Sequence, residues 1–240
     1  MHKRKELLRA PDDPGTKSQY EASTWKVLCE GLGDKVKYEP ISLLVQVGGR
    51  TRGYTFDFST GRSINGKMVV IEIHGEFLIR DGITARAYLG IIDAVRREYG
   101  LHFILGSQIT RGELEIRLGR VNYDGRGGRD AYANAASIEE GRRILRDSVD
   151  EFWCVPQIEG WETLLSRKIE ELKGRSDALN DTGIEGLRKK LEEVRRKIRE
   201  TEGVTGKSEE IFIDVAHNNE MHSKLIEELL RRNATRRASL

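Results

Sequence analysis

Tyr54-Thr-Phe-Asp57-Phe, followed after a Gly-rich turn by Met68-Val-Val-Ile-Glu72-Ile-His74-Gly75, is the stretch that decides the fold. Both segments have strand composition, β-branched and aromatic residues bounded by turn residues. In the second, the period of two puts Val70, Glu72 and His74 on one face and turns Val69, Ile71 and Ile73 the other way, into a core. One strand therefore ends on a carboxylate and the next carries one among aliphatics, where a charge is costly to bury without a partner or a metal ion. The plainer alternative is an Asp at a turn and a Glu on a solvated strand face.

The flanking sequence extends the pattern. Ser18-Gln19-Tyr20-Glu21-Ala22 opens an amphipathic helix with Tyr20, Trp25, Leu28 and Leu32 near helical spacing. Tyr38-Glu39-Pro40 and a strand ending near Val47 come next, ahead of the Asp57 strand. After it, residues 82 to 99 carry Ala85, Leu89, Ile92 and Val95 on one helical face, with Arg86, Arg96 and Arg97 elsewhere. Leu101 to Leu105 then reads as a buried strand after a turn at Gly100. A helix crossing between two strands implies a right-handed β-α-β unit, hence an α/β fold with a small mixed sheet flanked by helices.

In this order, a Glu on a helix, an Asp at a strand end and a Glu two residues before a polar side chain, the chain resembles the PD-(D/E)xK nuclease superfamily. Within it, the endonuclease subunit of heteromeric transposases and resolvase-like enzymes are similar, sharing the helix-borne Glu and the following "YEP" strand. The resemblance spans residues 15 to 110 and implies a restriction-endonuclease-like fold that hydrolyses DNA phosphodiester bonds with Mg²⁺ or Mn²⁺. It implies that Asp57 and Glu72 hold the first ion with the Ile73 carbonyl, and that Glu21 completes the site or holds a second ion through Asp57. Taken alone, Glu21 reads as an ordinary exposed helix residue. Without metal these carboxylates repel one another, so at least one pKa is expected to rise.

Two positions depart from that pattern. Phe56 stands where the superfamily has Pro, a backbone-shaping position. His74 stands where it has Lys, and an unperturbed imidazole is mostly neutral at pH 7, whereas the lysine carries a fixed charge. His74 is therefore expected to act with Glu21, Asp57 and Glu72 as a base or water-orienting group. Otherwise it marks a catalytically silent module that binds nucleic acid or a protein partner.

Composition sets the outer limits. The chain has 240 residues, 38% of them hydrophobic, and a net charge of +2. Lys and Arg against Asp and Glu number 16 to 13 over residues 1–110 and 25 to 26 over residues 111–240, so DNA contact must come from local patches. Arg86 is one candidate for reaching phosphate. Arg117, Arg120, Arg126 and Arg129, interleaved with Gly119, Gly125, Gly127 and Gly128 around Tyr123, form the other, since glycine lets backbone approach a phosphate that arginine neutralises. Each also reads as a solvated residue or loop. No apolar run reaches membrane-span length, and Met1-His-Lys-Arg-Lys opens no secretory signal, so a cytoplasmic protein with Cys29 and Cys154 reduced is expected. Many nucleases of the resembled fold cut two strands by pairing two sites, so the resemblance leaves a homodimer open as the active unit.

The expected division is a nuclease core over residues 1–135 and a helical accessory region over 136–240. The latter begins with a helix at 137 to 152, interrupted by Pro156. Stripes at Trp161, Leu165, Ile169 and Leu172, and at Leu187, Leu191, Val194 and Ile198, predict an antiparallel helical hairpin packed on itself, on the core or on a second subunit. Ile211 to Val215 and the helix through Leu225, Leu229 and Leu230 predict a terminal strand and helix, with an Arg-rich tail at Arg231, Arg232, Arg236 and Arg237. Asp214, His217 and His222 do not make a metal site on this reading, because histidines five apart do not share a helical face.

Overall fold

The computed structural model describes residues 14–74, 82–119, 135–154, 160–179 and 182–205. In chain order these form α1 (Gln19–Leu32), β1 (Lys37–Tyr38), β2 (Ser42–Val47), β3 (Arg50–Thr55), β4 (Phe58–Ile64), β5 (Lys67–His74), α2 (Gly82–Tyr99), β6 (Leu101–Ser107), α3 (Arg111–Gly119), α4 (Ala135–Ser148), β7 (Glu151–Cys154), α5 (Trp161–Arg175), β8 (Asp177–Ala178) and α6 (Thr182–Thr205).

β5 is the centre of this architecture. It pairs antiparallel with β4 and parallel with β6, which pairs parallel with β7, while β1 and β8 run antiparallel to β4. The sheet is therefore mixed and flanked by helices, the α/β class that the strand and helix pattern predicts. The β4–β5 hairpin closes through Asn65 and Gly66, both at positive φ (52° and 73°). That is the two-residue turn whose twist matches paired strands, and an Asn-Gly pair suits it best. Gly48 and Gly49 close β2 and β3 the same way into a separate two-stranded ribbon.

The two faces of β5 enter two different cores. Val69, Ile71 and Ile73 join Val27 and Leu28 of α1 and Trp161, Leu165 and Ile169 of α5. Met68 and Val70 join Tyr88, Leu89 and Ile92 of α2, the β2–β3 ribbon, α3, α4 and α6. Each fully buried aliphatic contributes about 1.5–3 kcal/mol, so the strand is held in register by its aliphatics and carries Glu72 in with them. Three hydrogen bonds fasten neighbouring elements: Trp161 Nε1 donates to Thr24 Oγ1 (2.8 Å), joining α5 to α1, and the Tyr99 hydroxyl both donates to the Leu44 carbonyl (2.8 Å) and accepts from its amide (3.2 Å), joining α2 to β2.

The C-terminal half departs from the expected plan in three ways. The helix expected over 137–152 ends at Ser148, and residues 151–154 are a strand. Asp150 makes this turn: its amide donates to the Phe103 carbonyl (2.9 Å) and its carboxylate accepts from the Phe103 amide (2.8 Å), docking the chain beside β6. Phe152 and Trp153 then point to opposite cores, as alternating aromatics in a strand do. Because β7 belongs to the main sheet, a boundary at residue 135 would cut that sheet. Finally, α5 and α6 do not pair as a hairpin. The stripe of α5 enters the α1 core, whereas Leu187, Leu191, Val194 and Ile198 of α6 enter the α2 core, and β8 lies on β4 between them. The strand and helix expected beyond residue 211, and Pro156, lie outside the described residues.

Candidate functional site

Asp57 occupies the bend between β3 and β4, where Phe56 enters the α2 core and Phe58 the α1 core. The chain crosses the sheet plane at this residue, and the crossing sets Asp57 against the end of β5. Asp57 and Glu72 are then fixed by reciprocal bonds: the Asp57 amide donates to Glu72 Oε2 (3.0 Å), and the Ile73 amide donates to Asp57 Oδ2 (2.7 Å). Tyr88, from α2, donates its hydroxyl to Glu72 Oε1 (2.8 Å), and the Tyr54 hydroxyl stands 3.2 Å from that of Tyr88. His74 lies edge-on to the Tyr88 ring at a centroid distance of 4.1 Å. Its Nε2 is 3.5 Å from Glu72 Oε1, too long for a hydrogen bond, and finds no hydrogen-bond partner among the described residues.

Glu21 approaches from α1. Ser18 Oγ accepts from the Glu21 amide (3.1 Å), which caps the helix and fixes the first turn. The Glu21 carboxylate accepts from the Lys17 amide (2.9 Å) and the Tyr38 hydroxyl (2.7 Å). Glu39 adjoins this group, with its amide donating to the Asp57 carbonyl (2.7 Å) and its carboxylate pairing with Lys17 Nζ (2.6 Å). The Tyr38-Glu39 segment thus links the helix-borne Glu21 to the Asp57 bend. Far from being an exposed helix residue, Glu21 is buried.

The electrostatics of the pair are one-sided. Asp57, Glu72 and His74 are 8%, 5% and 5% exposed. Burial, followed by the charges of Glu72 and Glu21, pushes Asp57 well above the usual carboxylate range. Burial also raises Glu72, against the hydrogen bonds from Tyr88 and the Asp57 amide. It lowers His74 to about 3, so the imidazole is neutral. Among the described residues neither Asp57 nor Glu72 pairs with a Lys or Arg. Nor do three His, Cys, Asp or Glu side chains converge into a ready-made cage there, since one Asp57 oxygen and one Glu72 oxygen are turned onto backbone amides. Such a pair still fits a hard divalent ion, which is commonly held by one or two carboxylates with water in its remaining positions.

Asp57, Glu72, Ile73 and His74 are therefore together, and Glu21 acts on Asp57 through its charge. Tyr88, Tyr54, Tyr38 and Lys17 complete the surroundings; the sequence pattern points to Tyr54 and Tyr38 only as parts of their strands, and the motif order includes neither Tyr88 nor Lys17. Tyr88 carried the one available signal, a phenol on the otherwise aliphatic face of α2 whose hydroxyl needs a partner once buried. Arg86 is committed to structure: its Nε donates to the Leu118 carbonyl (2.6 Å), joining α2 to α3. Arg117 pairs with Glu113. Arg120, Arg126 and Arg129 lie outside the described residues. No protein-family model, curated protein or solved structure matches the chain. Among the described residues no helix is long and apolar enough to cross a membrane, and Cys29 and Cys154 form no disulfide.

Proposed function

We propose that this protein is a metal-dependent endonuclease that hydrolyses DNA phosphodiester bonds at the Asp57–Glu72 site. One observation carries the reading: two carboxylates held side by side in the interior, oriented by backbone amides, with no Lys or Arg paired to them among the described residues. Burying an ion without compensation costs several kcal/mol or shifts its pKa, and a divalent cation removes that cost.

Asp57 and Glu72 would hold Mg²⁺ or Mn²⁺, with the Ile73 carbonyl beside them and the Glu21 charge behind Asp57. When bound there, such an ion would supply positive charge to the phosphate oxygens and to the leaving oxygen. Tyr88 keeps Glu72 in one rotamer, and the Asp57–Ile73 bond keeps Asp57 on the same sheet edge. The low His74 pKa leaves that side chain unable to provide the fixed charge a lysine would.

That neutrality favours one second reading, a catalytically silent module of the same fold that binds nucleic acid or a protein partner. Cleavage of supercoiled, linear, single-stranded and branched DNA with Mg²⁺ and Mn²⁺ separates the two. Nicking or linearisation that disappears in Asp57→Ala and Glu72→Ala supports the nuclease. Intact DNA of every form alongside retained DNA binding supports the silent module. Linear product without a nicked intermediate would further indicate that two copies act together.

A further inference from the structure

We infer that His74 Nε2 is itself an inner-sphere metal ligand alongside Glu72 Oε1, so that the site takes borderline first-row ions such as Co²⁺ and Zn²⁺ in preference to Mg²⁺. The inference rests on Asp57 and Glu72 forming a metal site; it adds His74 Nε2 and Glu72 Oε1 as an inner-sphere pair, with no third such side chain converging on them among the described residues, and the class of ion.

Two observations meet at one point. His74 is 5% exposed, and its Nε2 is buried without a hydrogen-bond partner among the described residues. Buried ring nitrogens normally have one, because leaving a polar group unpaired costs about 1–3 kcal/mol. That nitrogen lies 3.5 Å from Glu72 Oε1. Two donors each about 2.0–2.2 Å from a shared ion stand about 3–3.5 Å apart at octahedral or tetrahedral angles. The separation is thus wrong for a hydrogen bond and right for two ligands of one cation.

The surroundings support both donors. Tyr88 donates to Glu72 Oε1 and packs edge-on against His74, so a single side chain orients the carboxylate and the imidazole together. Outer partners of this kind position the ligands of metal sites. Glu72 Oε1 retains a lone pair beyond the one taken by Tyr88. The ion preference follows from ligand chemistry, since imidazole nitrogen suits the borderline ions Co²⁺ and Zn²⁺, whereas Mg²⁺ and Mn²⁺ are served by oxygen.

Calorimetric titration of the full chain with CoCl₂, ZnCl₂ and MgCl₂ tests this without reference to activity, using wild type, His74→Gln and His74→Ala. Loss of the imidazole should weaken Co²⁺ and Zn²⁺ binding by about 10-fold or more and leave Mg²⁺ binding within about 2-fold, since its oxygen ligands remain. If the ions bind and both variants keep the wild-type preference among them, the His74 ligand is wrong while the carboxylate site stands. If the wild type binds none of the three ions, the carboxylate site fails as well. Should neither variant fold, proton NMR of the Co²⁺-loaded wild type decides: a paramagnetically shifted imidazole N–H resonance supports ligation, and its absence overturns it.

Discussion

Two Glu and His pairs, one half-buried and one buried, lie on neighbouring strands of this sheet and are treated in opposite ways. On β7, Glu151 accepts from His102 Nε2 (2.8 Å), Arg175 and Trp153 Nε1 (3.0 Å). Burial pushes its pKa up, yet these three partners hold it at about 2. On β5, Glu72 has a phenol and an amide for partners, stands beside Asp57 and a neutral His74, and is raised. The chain can surround a half-buried carboxylate with cationic and neutral donors where the task is to join β6, β7 and α5. At Asp57 and Glu72 the described residues provide no such cation, and that difference marks the second cluster as a place for something outside the chain.

The comparison breaks most visibly in activity. Asp57→Ala and Glu72→Ala should each lower DNA cleavage by roughly 10²–10³-fold or more, as loss of a main source of transition-state charge does, with far-UV circular dichroism unchanged. Full cleavage in either variant would remove the site. Tyr88→Phe keeps the ring and loses one hydrogen bond to Glu72, so Mn²⁺ affinity should fall by about 10-fold, the size of an outer-partner effect. Unchanged affinity would mean that the tyrosine merely fills space.

Glu151→Gln acts on the other cluster. It should cost about 1–2 kcal/mol at pH 7 in denaturant unfolding, the size of a charge-assisted hydrogen-bond set partly retained, with cleavage untouched. Because the folded pKa of Glu151 is depressed, that contribution is present above the unfolded value of about 4.3 and lost as pH falls through the folded one. The wild type and Glu151→Gln should therefore converge in stability toward about pH 2–3.

At Asp57 and Glu72 the sign reverses. Their folded values lie above the unfolded ones, so their contribution is full below about pH 4 and disappears as pH rises through the folded values. Metal-free wild type should lose stability between about pH 5 and 8 relative to Asp57→Asn/Glu72→Gln. His74, with a depressed value, contributes the opposite slope as pH falls below about 6.5. Being present in both proteins, it largely cancels in the difference.

Much of this was legible in the residues themselves. The alternation of Val69, Ile71 and Ile73 against Val70, Glu72 and His74 stated which face of β5 each occupies, and the stripe Ala85, Leu89, Ile92, Val95 located α2 and the strand after it. Periodicity carries less about partners. The stripes of α5 and α6 say that each helix has an apolar side, but they do not say that the two sides face different layers of the sheet. Short spans carry little periodicity: Glu151 and Phe152 fall within the helical pattern over 137–152, and only the Asp150 bonds to Phe103 turn the chain there into a strand. At the site, the acidic residues were visible from their order along the chain. Tyr88 and Tyr38 were not, because a phenol's partner is decided by tertiary packing.

The most direct test is the thermal stability of wild type and Asp57→Asn/Glu72→Gln at about pH 8, with and without Mn²⁺ at 100 times its Kd for the wild type, where specific binding contributes about 2.7 kcal/mol. Without metal the double variant should be the more stable of the two. Mn²⁺ should raise the wild type by several degrees and leave the variant unmoved. Equal shifts in both proteins, or none in either, would contradict the claim that these two carboxylates are kept uncompensated for a metal ion.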